Sequence, residues 1–273
     1  EHEAVNVESV LVLTDLEPEA AEAWGERVKR FLAGLESRQE AVAWKVASGE
    51  AFGSVRTLLA LVTQEAPSLV VTYRSLHSQA WPFTYTLGRY VDVLAQEVPM
   101  PVLLLPYPHA EARAEEPPPP FETAGTKSVM ALTDHITGDH RLVQWAAHVT
   151  DEDGTLALTH VEDGRAFDRY MDAIAKIPDL DTETARETLR ERLLKEPRDF
   201  IRSCAAGLAE AGLPVQVAEN VLMGHRLAEV RRLVEEQQIG LLVLHTKDED
   251  QLAMHGLAYP LVVELRRVPI LML

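Results

Sequence analysis

The stretch that decides the fold is residues 224–273, which read GHRLAEVRRLVEEQQIGLLVLHTKDEDQLAMHGLAYPLVVELRRVPILML. Its pattern predicts a helix, a fully apolar strand, a polar loop, a second helix and a closing apolar strand. A weaker copy covers residues 49–105, and each copy ends on a glycine placed thirteen residues before a proline, followed by VLLL or ILML. An apolar run ending in Thr-Asp precedes each copy, at residues 10–15 and 129–134. The chain is therefore an internal duplication.

Strands alternate with helices along both copies, which predicts parallel β-α-β units in a sheet covered on both faces. The expected fold class is α/β, with two doubly wound, parallel, five-stranded domains in tandem. The first half is one strand-helix unit short, because Asp15 lies 34 residues before Gly49 whereas Asp134 lies 90 residues before Gly224. Since residues 18–37 match the helix that ends near Gly212, we expect the missing strand to be the partner of residues 155–161.

Residues 109–126, HAEARAEEPPPPFETAGT, contain four consecutive prolines and an acidic run without hydrophobic periodicity. This composition is typical of an extended linker. We therefore expect a reduced first domain at residues 1–108, a linker at 109–126 and a second domain at 127–273. The second domain carries a charged helical insertion at about residues 164–192, and Pro197 is expected to kink or divide the helix that follows.

Length and composition exclude several classes of protein. With 273 residues, 47% of them hydrophobic, the chain can bury two cores. No apolar run approaches the roughly 20 residues that span a bilayer, and no signal peptide is visible at the start, so a soluble protein is expected. The single cysteine, Cys204, fits a reducing cytoplasm. A net charge of −17 argues against nucleic-acid and membrane partners, because both present negative charge.

Ligands of open parallel sheets bind beyond the carboxyl ends of the strands, where the strand order reverses. In the first half those ends carry residues 14–15 and 73–75. In the second half they carry residues 133–135, 160–162 and 245–248. Polar side chains are expected to converge over a crevice at these places.

Together, the strand ending in Asp, the glycine-led helix, the apolar fourth strand and the final Gly-x12-Pro-[Val/Ile]-Leu resemble the universal stress protein family in its tandem form. The resemblance covers nearly the whole chain except the linker, the insertion and the missing unit. It implies Rossmann-like domains of the adenine nucleotide alpha hydrolase type. It also implies intramolecular pairing of the halves through their last strands, PVLLL and PILML. The protein partner is unknown, and a further homodimer stays open.

Some members of that family bind ATP through G-x2-G-x9-G-[S/T] after strand four, where glycines let backbone N–H groups approach phosphates. This chain departs from the motif in both halves. The last glycine remains as Gly88 and Gly256, but Arg89 and Leu257 replace the hydroxyl residue and the earlier glycines are absent. Three carboxylates, at residues 248–250, would repel a triphosphate in the second half. No cofactor is therefore expected, with ATP or AMP as the alternative.

The candidate ligand-binding residues lie at the ends of the strands or in the loops after them: Asp15, Arg74, Ser75, Ser78, Gly88, Asp134, Val161 and Gly256. The two aspartates match the residue that faces adenosine in nucleotide-binding members. The alternative is that each accepts hydrogen bonds from loop N–H groups. With Arg74, His77 and Arg89, the first-half loop tolerates an anion better than the second-half loop does. The missing strand, however, removes part of the surface that would contact adenine.

A metal site is a further alternative, since Asp134, His135, His160 and His245 are predicted to lie at one sheet edge and suit Zn²⁺. They form no compact ligand motif, so structural or solvent-facing histidines are the favoured interpretation. No catalytic residue is predicted, because no G-x-S-x-G elbow precedes a helix.

The leading prediction is a stress-response regulatory or scaffolding protein that is not an enzyme and does not bind ATP in the usual way. Three alternatives stay open. The first is a nucleotide-binding universal stress protein with weak or no ATP hydrolysis. The second is a metal-binding sensor, and the third is the soluble domain of a transporter.

Overall fold

The computed structural model describes residues 5–38, 41–78, 85–108, 121, 125–133, 140–178, 181–246 and 258–273. The described strands are β1 (Ser9–Leu13), β2 (Ala43–Ala47), β3 (Leu69–Tyr73), β4 (Val102–Leu105), β5 (Ser128–Thr133), β6 (Thr155–Asp163), β7 (Gln216–Gly224), β8 (Leu241–Leu244) and β9 (Ile270–Met272). They form one sheet in the order β2-β1-β3-β4-β9-β8-β5-β6-β7. The predicted α/β fold class is confirmed.

The described α-helices are α1 (Pro18–Phe31), α2 (Ala33–Ser37), α3 (Val55–Glu65), α4 (Arg89–Glu97), α5 (His140–Val149), α6 (Gly164–Ile174), α7 (Thr182–Glu210), α8 (Arg226–Glu236) and α9 (Ala258–Glu264). Helix α3 begins at a capping box, in which Ser54 and Thr57 bond each other's backbone N–H groups. Each helix buries one apolar stripe against the sheet or a neighbouring helix, as Val91, Leu94 and Ala95 do on α4. No helix among the described residues combines the length and apolar character needed to cross a bilayer.

The first half places four described strands in the sheet, with β2 and β3 on either side of β1. All three strands are parallel, and Val12 lies opposite Val46 on one side and Val71 on the other. The predicted identity of the missing unit is therefore wrong. Strand β2 occupies the position that β6 holds beside β5 in the second half, so the vacant position is that of β7. Its exposed and half-buried residues show that β2 is the edge strand.

The second half contains the complete set of five strands, in the order β9-β8-β5-β6-β7. The elements predicted for residues 224–273 are present as α8, β8, α9 and β9. Strand β7 runs to Gly224, the residue at which the deciding stretch begins. Helix α7 is one element of 29 residues with Pro197 inside it, so the proline does not divide the helix. Burial of Leu194, Pro197 and Ile201 along its inner face offsets the lost backbone hydrogen bond.

Strands β4 and β9 join the two halves into one continuous sheet. They are antiparallel, with Leu103 opposite Leu271 and Val102 opposite Met272. Strand β9 also pairs with β8 in parallel, where Val243 lies opposite Leu271. These residues are buried on both faces, so the junction belongs to the hydrophobic core.

A second contact between the halves lies where α2 packs against α5. The Arg38 guanidinium donates from Nη2 to the carbonyl oxygen of Thr150 at 2.7 Å. A Cβ placed on Gly34 would lie 2.8 Å from Oδ1 of Asp151, so the backbones approach closely here. Beside this contact, Nε2 of His148 is buried without a hydrogen-bond partner in the described part of the chain.

The environment of His148 predicts a loss of stability in acid. Burial, and then the positive charge of Arg38, lower the pKa of His148 to about 4. In the unfolded chain His148 binds a proton near pH 6.5. The contribution of neutral His148 to stability is therefore fully present above that pH and is lost as the pH drops towards 4. After discounting for partial exposure, we expect a loss of about 1–2 kcal/mol over this range.

Chemical denaturation of the wild type and His148→Gln at about pH 7.5 and about pH 4.5 measures this contribution. The difference in stability between the two pH values should be smaller in His148→Gln. The exposed His140 of the same helix supplies the matched control, His140→Gln, which should behave as the wild type does. An equal pH dependence in all three proteins would contradict the assignment.

Candidate functional site

The strand order defines one crevice in each half. The chain leaves β1 towards β2 on one side and later returns to β3 on the other, so the first crevice opens between the carboxyl ends of β1 and β3. The same reversal places the second crevice between β5 and β8. Both are the positions at which doubly wound sheets bind ligands.

Tyr73 fills the first crevice. It is the last residue of β3 and is fully buried. Its hydroxyl oxygen lies 2.9 Å from Oγ1 of Thr14 and accepts the backbone N–H of Asp15 at 3.0 Å. The same hydroxyl donates to Oδ1 of Asp15. The side chain therefore bridges the two strands across the point where a ligand would enter.

Aromatic rings hold Tyr73 in this position. Trp24 from α1 makes an edge contact with it at 5.5 Å between ring centroids, and Tyr107 makes another at 5.9 Å. Burial, and then the hydrogen bond to Asp15, raise the pKa of the Tyr73 hydroxyl far above its usual value. The hydroxyl therefore stays protonated and remains a donor to the Asp15 carboxylate.

The carboxylate of Asp15 is satisfied within the protein. Besides the bond from Tyr73, its Oδ2 accepts the backbone N–H of His77 at 2.7 Å. The backbone of Gly49 also lies against Asp15, since a Cβ placed there would come within 2.8 Å of the Asp15 carbonyl oxygen. This arrangement favours the alternative in which Asp15 orders the loop over the one in which it contacts adenosine.

Backbone donors at the start of the loop after β3 are engaged within the protein. The N–H groups of Arg74 and Ser75 donate to the carbonyl oxygens of Leu105 and Leu87, and that of Ser78 donates to Ser75. Ser75 is buried and adopts a left-handed conformation, with φ of 60°. Phosphates bound by such loops require free N–H groups, and these are engaged by the protein.

Gly88 allows two backbone segments to touch at this loop. It has φ of 94°, and a Cβ placed there would lie 3.0 Å from Cα of Ser75.

We expect Gly88→Ala to lower the free energy of unfolding by about 1–2 kcal/mol, because alanine is strained at this φ and crowds the Ser75 backbone. Urea denaturation tests this, with Gly53→Ala as the control because a Cβ at Gly53 meets no atom within 4 Å. Equal effects of the two substitutions would contradict the close contact.

Arg74 does not face the first crevice. Its Nη2 donates instead to the carbonyl oxygen of Leu265, in the second half, at 3.0 Å. The predicted candidates Arg74, Ser75 and Gly88 therefore lie in two places. Ser75 and Gly88 pack on each other, while the Arg74 guanidinium lies at the junction of the halves.

In the second half, His160 is held by its neighbours along the sheet. It is 1% exposed, with Nδ1 3.4 Å from Oγ1 of Thr133 and Nε2 3.3 Å from Oε2 of Glu162. Val161, between them, is buried in the core. No group of three or more potential metal ligands occurs among the described residues. Asp134, His135 and Gly256 lie outside the described residues, so their predicted roles stay predictions.

His245 occupies the position in the second half that Tyr73 occupies in the first. It follows β8 directly, and the next residue donates its N–H to the carbonyl oxygen of Leu273, just after β9, as Arg74 does to Leu105 of β4. That next residue is Thr246, whose hydroxyl also donates to Leu273 O. The backbone after β3 and the backbone after β8 thus make the same hydrogen bond, whereas the side chains at the two strand ends differ.

No protein-family model matches the sequence, and no curated protein matches it. Solved structures do. A universal stress protein from Archaeoglobus fulgidus DSM 4304 is 12% identical, with a TM-score of 0.51 over 97% of this chain and 85% of that one. The chain has the universal stress protein fold. A candidate universal stress protein from Pseudomonas aeruginosa UCBPP-PA14 is 15% identical, with a TM-score of 0.52 over 98% and 93% of the two chains.

A protein of unknown function from Pseudomonas aeruginosa PAO1 is similar to the same extent, at 14% identity and a TM-score of 0.51 over 98% of this chain and 92% of that one. Identities this low establish the universal stress protein fold and no more. Because these matches extend over nearly the full length of the chain, the likeness includes both halves of the duplication.

Within the universal stress protein fold, the residue most informative about the first crevice is Tyr73, which was not among the predicted site residues. Its signal in the sequence is a large polar aromatic residue at the end of a buried strand, four residues before the His77 whose N–H also binds Asp15. A tyrosine at the end of the strand that leads into the candidate binding loop, β3 in the first half, can be recognised by this pattern.

Proposed function

We propose that this chain is a tandem universal stress protein that acts as a stress-response regulatory or scaffolding module, without turnover and without binding ATP in the usual way. One observation carries the proposal: the Tyr73 hydroxyl and the His77 N–H occupy both oxygens of the Asp15 carboxylate at the first crevice. The fold shared with the two universal stress proteins described above supports the family.

The engaged Asp15 carboxylate sets a cost on nucleotide binding. An adenosine that contacted Asp15 would have to displace the Tyr73 hydroxyl and expose a buried aromatic ring. Each buried polar group left without a partner costs about 1–3 kcal/mol, so losing one such bond weakens binding by roughly 10- to 100-fold. The start of the loop after β3 offers little in return, because the backbone N–H groups of Arg74, Ser75 and Ser78 are already engaged.

Calorimetric titration of the purified full chain with ATP and with AMP tests the proposal. We expect no micromolar binding of either nucleotide. Micromolar affinity for ATP would overturn the proposal and support the nucleotide-binding alternative.

Two variants locate any nucleotide that does bind. Asp15→Asn and Asp134→Asn change the matching residues of the two halves by the same chemical step. Loss of micromolar binding in Asp134→Asn alone would assign a nucleotide site to the second half, and loss in Asp15→Asn alone would assign it to the first. Either result contradicts a module that works without ATP.

The same proposal includes the setting of the protein. We place it in the cytoplasm, with an unidentified protein partner and with neither nucleic acid nor membrane as a target, on the basis of its charge of −17 and its single cysteine. We also retain the division into domains at residues 1–108 and 127–273, and a homodimer beyond the internal pairing of the halves. Size-exclusion chromatography with light scattering tests the homodimer, which a monomeric mass would exclude.

A further inference from the structure

Arg74 is a buried cation for which the described residues supply no counter-charge. The residue is 5% exposed. Its one described side-chain hydrogen bond is the Nη2 contact with the Leu265 carbonyl oxygen, and its Nε is buried without an acceptor in the described part of the chain. Buried charges in proteins are normally paired, because an unpaired one costs several kcal/mol of solvation.

The charge that acts on Arg74 has the same sign as its own. Arg266 follows Leu265 directly and is half-buried. Burial, and then the positive charge of Arg266, lower the pKa of Arg74 to about 9, which still leaves its guanidinium charged at neutral pH. Arg266 is bonded in the chain to Leu265, whose carbonyl oxygen accepts from the Arg74 guanidinium, so both arginines lie at the junction of the halves in a protein whose net charge is −17.

We propose that Arg74 and Arg266 form a binding site for a small phosphate dianion at the junction of the two halves. Guanidinium groups present their N–H donors in a planar fork that matches two phosphate oxygens. A dianion neutralises both charges, whereas chloride or acetate neutralises one. The bond from Nη2 to Leu265 fixes the orientation of the Arg74 guanidinium before the ligand arrives. The ligand is either free phosphate or a small phosphomonoester, which share this chemistry.

This site is separate from the crevice between β1 and β3. Asp15 and Tyr73 bind each other there, while the Arg74 side chain leaves the end of β3 in the direction of Leu265. The inference therefore does not depend on the proposed function. Its test uses probes without a nucleoside, so that its failure and the failure of that function can be told apart.

The test is a thermal melt of the full chain with increasing sodium phosphate, and separately with glycerol 3-phosphate, against sodium chloride at equal ionic strength. At about pH 7.5 both probes are mainly dianions. We expect phosphate to raise the melting temperature of the wild type above that in chloride, as binding to the folded state requires. Arg266→Gln should raise the dissociation constant for phosphate by about 10- to 100-fold, because the site loses a charged hydrogen-bond donor.

A second measurement needs no ligand. In chloride, Arg266→Gln should melt at a higher temperature than the wild type, since the substitution removes the like charge beside Arg74. The matched control is Arg30→Gln on the exposed surface of α1, which makes the same change in net charge and should alter neither measurement.

The outcomes separate cleanly. A phosphate-specific shift that depends on Arg266 supports the site, and a similar response to glycerol 3-phosphate identifies a phosphomonoester as an acceptable ligand. If neither probe shifts the melting temperature more than chloride does, or if the shift is the same in Arg266→Gln, the site does not exist.

Discussion

Leu271→Ala is expected to lower the free energy of unfolding by about 3–4 kcal/mol, because it leaves a cavity in the buried core of the junction. Leu271 is 1% exposed and lies between two strands, opposite Leu103 of β4 and Val243 of β8. The lost contacts therefore belong to both halves at once. Urea denaturation followed by circular dichroism measures the change.

The control for this prediction is Ile177→Ala, since Ile177 is 53% exposed. Its effect should stay within about 0.5 kcal/mol, as is usual for exposed sites. The junction would not be a shared core if Leu271→Ala cost no more than Ile177→Ala. A transition that divides into two steps in Leu271→Ala would show that the strand also couples the unfolding of the halves.

Tyr73→Phe should destabilise the protein by about 2–3 kcal/mol. The substitution keeps the ring and its aromatic contacts but removes the hydroxyl. The Asp15 carboxylate then loses a donor, and the Asp15 N–H loses its acceptor. Unsatisfied buried groups cost about 1–3 kcal/mol each, and more where a charge is involved.

Tyr85→Phe makes the identical chemical change at a side chain that is 86% exposed. It should leave stability unchanged to within about 0.5 kcal/mol. Chemical denaturation of both variants at neutral pH is the measurement. Equal stabilities of the two variants would contradict the bridge across the first crevice.

The strands and helices could be predicted because their signals are local. Residues 69–71 and 241–244 are continuous apolar runs, which is the pattern of strands buried on both faces. Helix α8, at 226–236, repeats apolar residues at helical spacing. The position of β2 could not be predicted in this way. Its order in the chain matches β7, whereas the backbone hydrogen bonds that place it beside β1 join residues far apart in sequence.

The candidate site was predictable in outline only. The sequence places Asp15 at the carboxyl end of β1, where the structure has it. The partner of its carboxylate is Tyr73, 58 residues away, and that contact depends on the register that sets Val12 opposite Val71. The direction of Arg74 depends on the junction of β4 and β9, which brings Leu265 within reach from 191 residues away. Such contacts are decided by tertiary packing and leave no trace in local pattern.

A crystal structure of the full chain grown in the presence of ATP tests the central claim most directly. The account predicts that the Tyr73 hydroxyl lies against the Asp15 carboxylate, that the His77 N–H donates to the same carboxylate, and that no nucleotide density lies between β1 and β3. A nucleotide bound at Asp15, with Tyr73 rotated out of the crevice, would contradict it.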